Sequence, residues 1–222
     1  MPRRIPLTRD IILKQAVDLA DSKGIDALSM RSLARACGVE AMSLYNHVAN
    51  KEAVLQGMVE VVVADIHVPD TDAPWKEAMR RRAESAHDVL MQHPWASMVM
   101  LSQADSGPVM LGWVDATIGC LRNGGFSWAL ADHAWNTLDS YIHGFTQQRL
   151  NFPFEESAHA AAAQEYLPMI PESVFPNLHG MTTEIAEGRH DGIQDFSFGL
   201  ELLLDGLERR LESDQIPGRR SM

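Results

Sequence analysis

Apolar residues recur at intervals of three and four positions along most of the chain, and past residue 75 no segment alternates between apolar and polar positions. Such a repeat places apolar side chains on one face of an α-helix, whereas a half-buried strand needs alternation. The pattern therefore predicts an all-α protein. The first third carries three apolar stripes: Ile12, Ala16, Leu19 and Ala20; Met30, Leu33, Ala34 and Cys37; and Val54, Leu55, Met58, Val59, Val62, Val63 and Ile66.

Residues that favour helix ends stand at the borders of these stripes. Thr8, Ser29 and Asn50 precede them, and such side chains accept a hydrogen bond from an amide of the first turn. Gly24 and Gly38 follow the first two stripes, and glycine takes a left-handed conformation without steric cost. The predicted helices span 8–23, 29–37, 40–47 and 50–66.

The two short helices around Gly38 match a helix-turn-helix, whose second helix enters the major groove of DNA. Outward positions of the second helix carry hydroxyl, amide and imidazole groups, which hydrogen-bond phosphates or base edges. Arg31 on the first helix has the fork that pairs with guanine. The predicted DNA contacts are Arg31, Ala41, Met42, Ser43, Tyr45, Asn46, His47 and Lys51.

The same segment resembles the N-terminal domain of the tetracycline-repressor (TetR) family. The resemblance rests on T-x-x-I, S-M-R-S-L-A, G-V, S-L-Y-N-H-V and N-K-E-A-V-L in the family's order and spacing. Looser resemblances to the family's C-terminal domain are H-P-W at 93–95, G-F-S at 125–127 and F-G-L-E-L-L-L-D-G-L-E at 198–208. The chain departs from the family at Glu40, where many relatives have Ser or Thr, and at the apolar Ala41 and Met42, so no operator sequence follows.

The segment P-D-T-D-A-P-W at 69–75 breaks the helical pattern and marks a boundary. We therefore expect a DNA-binding domain over 1–66, a ligand-binding and dimerisation domain over 67–213, and a disordered tail over 214–222. Within the second domain, Arg80, Arg81 and Arg82 form a run that we assign to a solvated helix face. The expected helices end before Pro94 and then cover 95–104, 108–122, 127–150 and 194–212. We expect the helix that starts at Pro108 to be the most buried. We also expect one short helix within 151–189.

Two of these helices carry long apolar seams. In helix 127–150, Trp128, Ala131, Trp135, Leu138, Ile142 and Phe145 alternate steps of three and four, which suits a partner helix at a shallow angle. Helix 194–212 has Leu200, Leu203, Leu204, Leu207 and Leu211 on one side. The seams either pack inside one chain or complete a four-helix bundle with a second chain. The family resemblance implies the second arrangement, a homodimer through helices 127–150 and 194–212.

Bulky and polarizable side chains from several of these helices suit a ligand pocket. Helical bundles often hold ligands between helices, and methionine adapts its shape to apolar molecules. For any single residue, a plain core position is the alternative. The residues assigned to a pocket for a small apolar effector are Trp95, Met98, Met110, Trp113, Trp135, Leu138, Tyr141 and His143.

Charge separates the two parts of the chain. The net charge is −11, yet residues 1–51 hold eight Lys and Arg against five Asp and Glu, and the rest holds 11 against 25. A basic head on an acidic body is expected if only the head meets phosphates. There is no apolar run of about 18 residues that would span a membrane. The start lacks the apolar region of a signal peptide, and Cys37 and Cys120 lie in apolar helical patterns, so we expect a cytoplasmic protein with buried, reduced thiols.

Common catalytic motifs are absent: the sequence has no H-E-x-x-H, G-x-S-x-G, Gly-rich phosphate loop or C-x-x-C. The nine histidines are scattered, so we assign no catalytic residue, metal or cofactor. The sequence predicts a homodimeric transcriptional regulator, most simply a repressor, which binds a palindromic operator and is released by a small effector. The alternative is a helical small-molecule-binding protein without a role on DNA.

Overall fold

The structure is a computed structural model that describes residues 6–102, 107–153, 158–192 and 195–214. All regular secondary structure in these ranges is helical, as predicted. Two single-turn 3₁₀ helices, Ile25–Ala27 and Leu167–Met169, accompany the α-helices. In chain order, the α-helices are α1 (Arg9–Lys23), α2 (Met30–Cys37), α3 (Ala41–Leu44), α4 (Lys51–Ala64), α5 (Trp75–Gln92), α6 (Ala96–Ser102), α7 (Pro108–Asn123), α8 (Trp128–Leu150), α9 (His159–Tyr166), α10 (Pro176–Ala186) and α11 (Phe196–Asp214).

The predicted caps set the ends of the first helices. The side chains of Thr8, Ser29 and Asn50 accept hydrogen bonds from the amides of Ile11, Ser32 and Ala53, respectively. Gly38 ends α2 in the left-handed region, with φ of 66° and ψ of 33°. The amide of Val39 then donates to the Ala34 carbonyl over 3.0 Å, which closes the helix end and sets the angle at which α3 leaves.

The helix after the turn is shorter than predicted. Regular α-helix ends at Leu44, and residues 45–47 form a turn in which the His47 amide donates to the Leu44 carbonyl. The Glu40 side chain makes no capping hydrogen bond, so the first amides of this helix lack a side-chain acceptor. Leu44 and Val48 are buried as expected, and α3 packs against α2.

The described residues divide into two compact units. One comprises 1–147 with 200–222, and the other comprises 148–199. In the first unit, α1 packs against α2 and α4, and α4 packs in turn against α6 and α7. In the second unit, α9 packs against α10. The predicted helix within 151–189 is therefore a pair of helices joined by the 3₁₀ turn at Leu167–Met169.

The apolar seams lie inside a single chain. Ala131, Leu138 and Ile142 of α8 are buried, and so are Leu200, Leu204, Leu207 and Leu211 of α11. Trp128, at the start of the α8 seam, is 70% exposed, and Trp135, Phe145 and Leu203 are half buried. Most of the two seams is therefore covered within one chain. Helix α7 also differs from the prediction, because Val109 and Leu111 near its start are exposed.

The arginine run was assigned wrongly to a solvated face. Arg82 is completely buried, and Arg80 forms an ion pair with Glu201 of α11. Only Arg81 follows the prediction, with a mostly exposed side chain. Lys76 adds two further ion pairs from α5 to α11, with Asp205 and Glu208. The charged face of α5 is thus largely an intramolecular contact surface.

Cys120 is buried as expected, whereas Cys37 is only half buried, and neither forms a disulfide. None of the described helices has the length and apolar character to cross a membrane. The predicted tail was 214–222; α11 extends to Asp214, and residues 215–222 lie outside the described residues.

Candidate DNA-binding surface and interior polar cluster

The exposed side of the helix-turn-helix carries most of the predicted DNA contacts. Met42 is 75% exposed and Tyr45 is 46% exposed, and Arg31, Asn46, His47 and Lys51 are exposed as well. Ala41 and Ser43 are half buried. The outer side of residues 42–47 is therefore presented to solvent, as a segment that reads a DNA groove requires.

A groove of about 690 Å³ runs along this surface and joins it to α1. Its lining includes Lys14 and Gln15 from α1 together with Ser43, Asn46 and His47. An ammonium, two amides, a hydroxyl and an imidazole thus share one concave surface. All of these groups can donate hydrogen bonds to phosphate oxygens, which fixes the register of a protein on DNA.

The residues predicted to line a ligand pocket separate into four groups. Met98 is exposed and Met110 is half buried. Trp95 is buried, but its indole N–H donates to the Asp21 carboxylate over 2.7 Å. Trp113 and His143 interact with a buried arginine or with its partner, described below. The remaining predicted residues, Trp135, Leu138 and Tyr141, lie on α8 within two turns of His143.

Arg82 is the centre of a polar cluster inside the first unit, which we call the interior cluster: Arg82, Ser97, Trp113, Thr117, Trp135, Asp139 and His143. Arg82 Nη2 donates to Asp139 Oδ1 over 2.5 Å, and Nε donates to Thr117 Oγ1 over 3.0 Å. The guanidinium carbon lies 4.1 Å from the centroid of the Trp113 ring, which adds a cation–π contact. Helices α5, α7 and α8 thus converge on one cation.

His143 extends the interior cluster along α8. Its Nδ1 lies 2.7 Å from Ser97 Oγ of α6. Burial lowers the pKa of His143 from its ordinary value of 6.5; the nearby Asp139 carboxylate opposes this shift, and the Arg82 guanidinium adds to it. The imidazole is therefore neutral at physiological pH. Trp135, Asp139 and His143 follow one another at intervals of four, so they lie on one face of α8.

Three nitrogen atoms of the interior cluster are buried and have no hydrogen-bond partner: Arg82 Nη1, Trp113 Nε1 and Trp135 Nε1. All three are donors only, since neither a guanidinium nor an indole can accept a hydrogen bond. Leaving buried donors unpaired costs free energy, and native proteins keep few such groups. Hydrogen-bond acceptors of a bound molecule would pair them.

Sequence reasoning missed Arg82, Thr117, Asp139 and Ser97. A usable indication was present for Arg82, which lies three residues after Met79 and four before Ala86 and so falls on the apolar stripe of α5. The two arginines directly before it, Arg80 and Arg81, obscured it. Nothing in the sequence marks Ser97 or Thr117 as partners, because their roles depend on how α6 and α7 pack.

Besides the packing of α4 against α6 and α7, the side chains of Asp21 and Glu60 bind later parts of the first unit. Asp21 at the end of α1 accepts from Trp95 and lies 2.9 Å from His93 Nδ1. Glu60 of α4 accepts from the Val109 amide in the first turn of α7 over 3.2 Å. Among the described residues, no group of three or more His, Cys, Asp or Glu side chains could hold a metal ion.

An exposed helix-turn-helix at one end and a polar cluster inside a helical body define a DNA-binding regulator with a ligand-binding domain. The model of bacterial regulatory proteins of the tetR family matches residues 12–58, and the model of the tetracyclin repressor-like C-terminal domain matches residues 68–211. The chain therefore belongs to the tetracycline repressor family of transcriptional regulators, which confirms the resemblance and the fold class predicted from sequence.

Individual relatives resemble the chain over nearly its whole length. The HTH-type transcriptional repressor DrrR1 of Streptomyces coeruleorubidus is 27% identical over 91% of this chain and 77% of its own. The structure of ActR from Streptomyces coelicolor in complex with (S)-DNPA has a TM-score of 0.77 and 26% identity, over 93% of this chain and 99% of ActR. BioQ bound to its double-stranded DNA operator has a TM-score of 0.62 and 25% identity, over 92% and 99% of the two chains.

Proposed function

We propose that the protein is a ligand-responsive repressor that binds a palindromic operator as a homodimer and is released by a small effector. The observation that carries the proposal is the exposed outer side of residues 42–47 on a capped helix-turn-helix. The repressor relative and the operator complex of BioQ support the DNA-binding role over that of a ligand-binding protein without DNA. Because the family consists of regulators, we propose no enzymatic activity. We also propose that the protein is cytoplasmic, where its operator DNA lies.

We assign one function to each of the two regions that the family models match. Residues 1–66 bind DNA through Arg31, Ala41, Met42, Ser43, Tyr45, Asn46, His47 and Lys51. Residues 67–213 bind the effector and form the dimer. Two heads must sit roughly 34 Å apart to reach successive major grooves on one side of a duplex. An effector that prefers another head separation shifts the protein away from DNA.

The dimer surface we propose uses the outer sides of α8 and α11, since most of their apolar seams is already buried in one chain. On α11, Leu202 is 56% exposed, and nothing within 4 Å would meet a side chain placed at Gly206, one turn further on. On α8, Asn136, Ser140 and Gly144 form an exposed stripe of small residues at intervals of four. Small residues allow a helix of a second chain to approach closely, and a second copy would cover the exposed leucine.

The effector would bind at the interior cluster, and the unpaired donors there indicate which polar groups it carries. An apolar molecule alone would leave Arg82 Nη1 and the two indole N–H groups unpaired. We therefore propose an effector with a flat apolar body and several acceptor oxygens, which Trp113 and Trp135 contact through both their rings and their N–H groups. ActR in complex with (S)-DNPA supports a small-molecule effector for a protein of this fold.

The test begins with selection of genomic DNA fragments that the purified protein retains. Recovery of a palindrome, followed by titration of Tyr45→Ala and Lys51→Ala variants, tests the docking surface. Both variants should bind more weakly, and Lys51→Ala should lower the salt slope by about one. Lys23→Ala is the matched control, because Lys23 is exposed at the body end of α1, two residues from the Asp21 contact. Unchanged affinity in both test variants would contradict the proposal.

A further inference from the structure

The second compact unit contains a cavity that the regulator function does not use. It has a volume of about 170 Å³ and lies between α9 and α10. Its lining includes Phe152, His159, Ala163, Tyr166, Thr182 and Ile185, all within residues 148–199. It shares no residue with the interior cluster.

His159 gives this cavity a polar centre. The residue is 6% exposed, and both of its ring nitrogens are buried without a hydrogen-bond partner. The Phe152 ring packs edge-on against the imidazole, with centroids 5.0 Å apart, so one flank of the ring is occupied by carbon. Buried polar groups in proteins are almost always paired, and an imidazole without a partner facing a cavity indicates that a bound molecule supplies one.

The cavity limits the size and charge of that molecule. Its volume is close to the engineered cavity of about 150 Å³ that holds benzene in another protein, so one six-membered ring fits. Among the described residues that line it, none carries a carboxylate, a guanidinium or an ammonium group. A charged ligand would lose its hydration without gaining a counter-ion, which disfavours binding.

The imidazole defines the polar group of the ligand. A neutral imidazole has one donor nitrogen and one acceptor nitrogen, and a hydroxyl can pair with either. We infer that the cavity between α9 and α10 is a second small-molecule site, which takes a neutral monocyclic aromatic with one hydroxyl hydrogen-bonded to His159. The hydroxyl pairs the imidazole, and the ring packs against Phe152 and Ile185.

Phenol and toluene are the probes that test this site, because they have nearly the same shape and differ in the hydroxyl. Titration calorimetry of the full-length protein without DNA should show saturable phenol binding, roughly ten-fold tighter than toluene, the ratio expected when one buried group gains its partner. No operator is present in this experiment, so a lack of phenol binding would not contradict the DNA-binding proposal. A lack of operator binding would likewise not contradict the second small-molecule site.

Two variants locate the binding. Ala163→Leu places a larger side chain against the cavity and should abolish binding of both probes. Ala160→Leu is the matched control, since it makes the same change at an exposed position of the same helix and should leave binding unchanged. His159→Phe keeps a ring of similar size and should bring the two affinities together, and circular dichroism verifies that each variant is folded.

Equal phenol binding by Ala163→Leu and Ala160→Leu would overturn the inference, and so would the absence of phenol binding to the wild type. Equal affinities of the wild type for phenol and toluene would remove the role of His159 and overturn it as well. If Ala163→Leu fails to fold, the affinity ratio in His159→Phe decides: a ratio still near ten contradicts the proposed contact.

Discussion

Removing Arg82 should affect the stability of the protein far less than removing its partner Asp139. The charge-assisted hydrogen bond to Asp139 contributes about 1.5–3 kcal/mol and the bond to Thr117 about 1 kcal/mol, and the contact with Trp113 adds about 2 kcal/mol. Against these gains stand the loss of hydration of a fully buried guanidinium, which costs several kcal/mol, and about 1–3 kcal/mol for the unpaired Nη1. The gains and costs nearly cancel.

The expected free energies of unfolding follow from this balance. Arg82→Met, which keeps the length and the apolar stem, should change stability by only about 1 kcal/mol. Asp139→Ala leaves the buried cation without its counter-charge and should cost about 3–5 kcal/mol. The double variant should recover most of that loss, which gives a coupling of about 2–3 kcal/mol. Arg81→Met, at the exposed neighbouring position, is the control and should stay within about 0.5 kcal/mol of the wild type.

Urea unfolding, followed by circular dichroism, measures these differences; one fixed protein concentration is used because association would make the stability depend on concentration. A loss for Arg82→Met as large as that for Asp139→Ala, or additive effects in the double variant, would refute the balance of terms. If the unpaired Nη1 serves the effector, Arg82→Met should also need more effector to release operator DNA while its operator affinity without effector is unchanged.

Three further predictions concern the turn, the buried histidine and the head contact. Gly38→Ala forces a side chain to φ of 66° and should cost about 1–2 kcal/mol by thermal unfolding, whereas Gly180→Ala at an exposed position of α10 should stabilise the protein by about 0.5–1 kcal/mol; equal shifts would contradict the assignment of the turn. Because burial lowers the pKa of His143 from 6.5, this imidazole binds a proton in the unfolded chain at a pH at which it stays neutral in the folded protein. Stability should therefore fall as pH drops below about 6.5, and His143→Gln should lose that part of the slope; an unchanged slope would show that other groups cause it. Asp21→Ala removes the acceptor of the Trp95 indole and should change the operator affinity without altering the effector affinity of the isolated protein, as paired titrations would show.

The head was predictable because its information is local. Ser29, Gly38 and Asn50 act on amides within a few residues, so their roles can be seen in the sequence and are confirmed in the structure. The end of α3 was placed too late, since no glycine or proline marks it and the chain leaves the helix through a turn at residues 45–47.

The interior was less predictable because its interactions join distant parts of the chain. Arg82 and Asp139 are 57 residues apart, and only the packing of α5 against α7 and α8 brings them within 2.5 Å. The arginine run therefore looked like a solvated face, whereas one of its members is a fully buried cation. His159 was overlooked for the same reason, because its cavity exists only where α9 meets α10.

The carboxylate of Glu60 is one of the contacts between the head and the later helices. It belongs to α4, the last helix of the head, and holds the first turn of α7, where a side chain at Gly107 would overlap it. Trp113 lies four residues beyond Val109 on that same helix, so an effector at the proposed interior cluster that displaced α7 would also change its contact with Glu60. Replacing Glu60 by a shorter or uncharged side chain would leave the DNA-binding surface and the interior cluster intact. It would change only the coupling between these two sites. A single substitution would therefore change how sensitively the regulator responds to its effector.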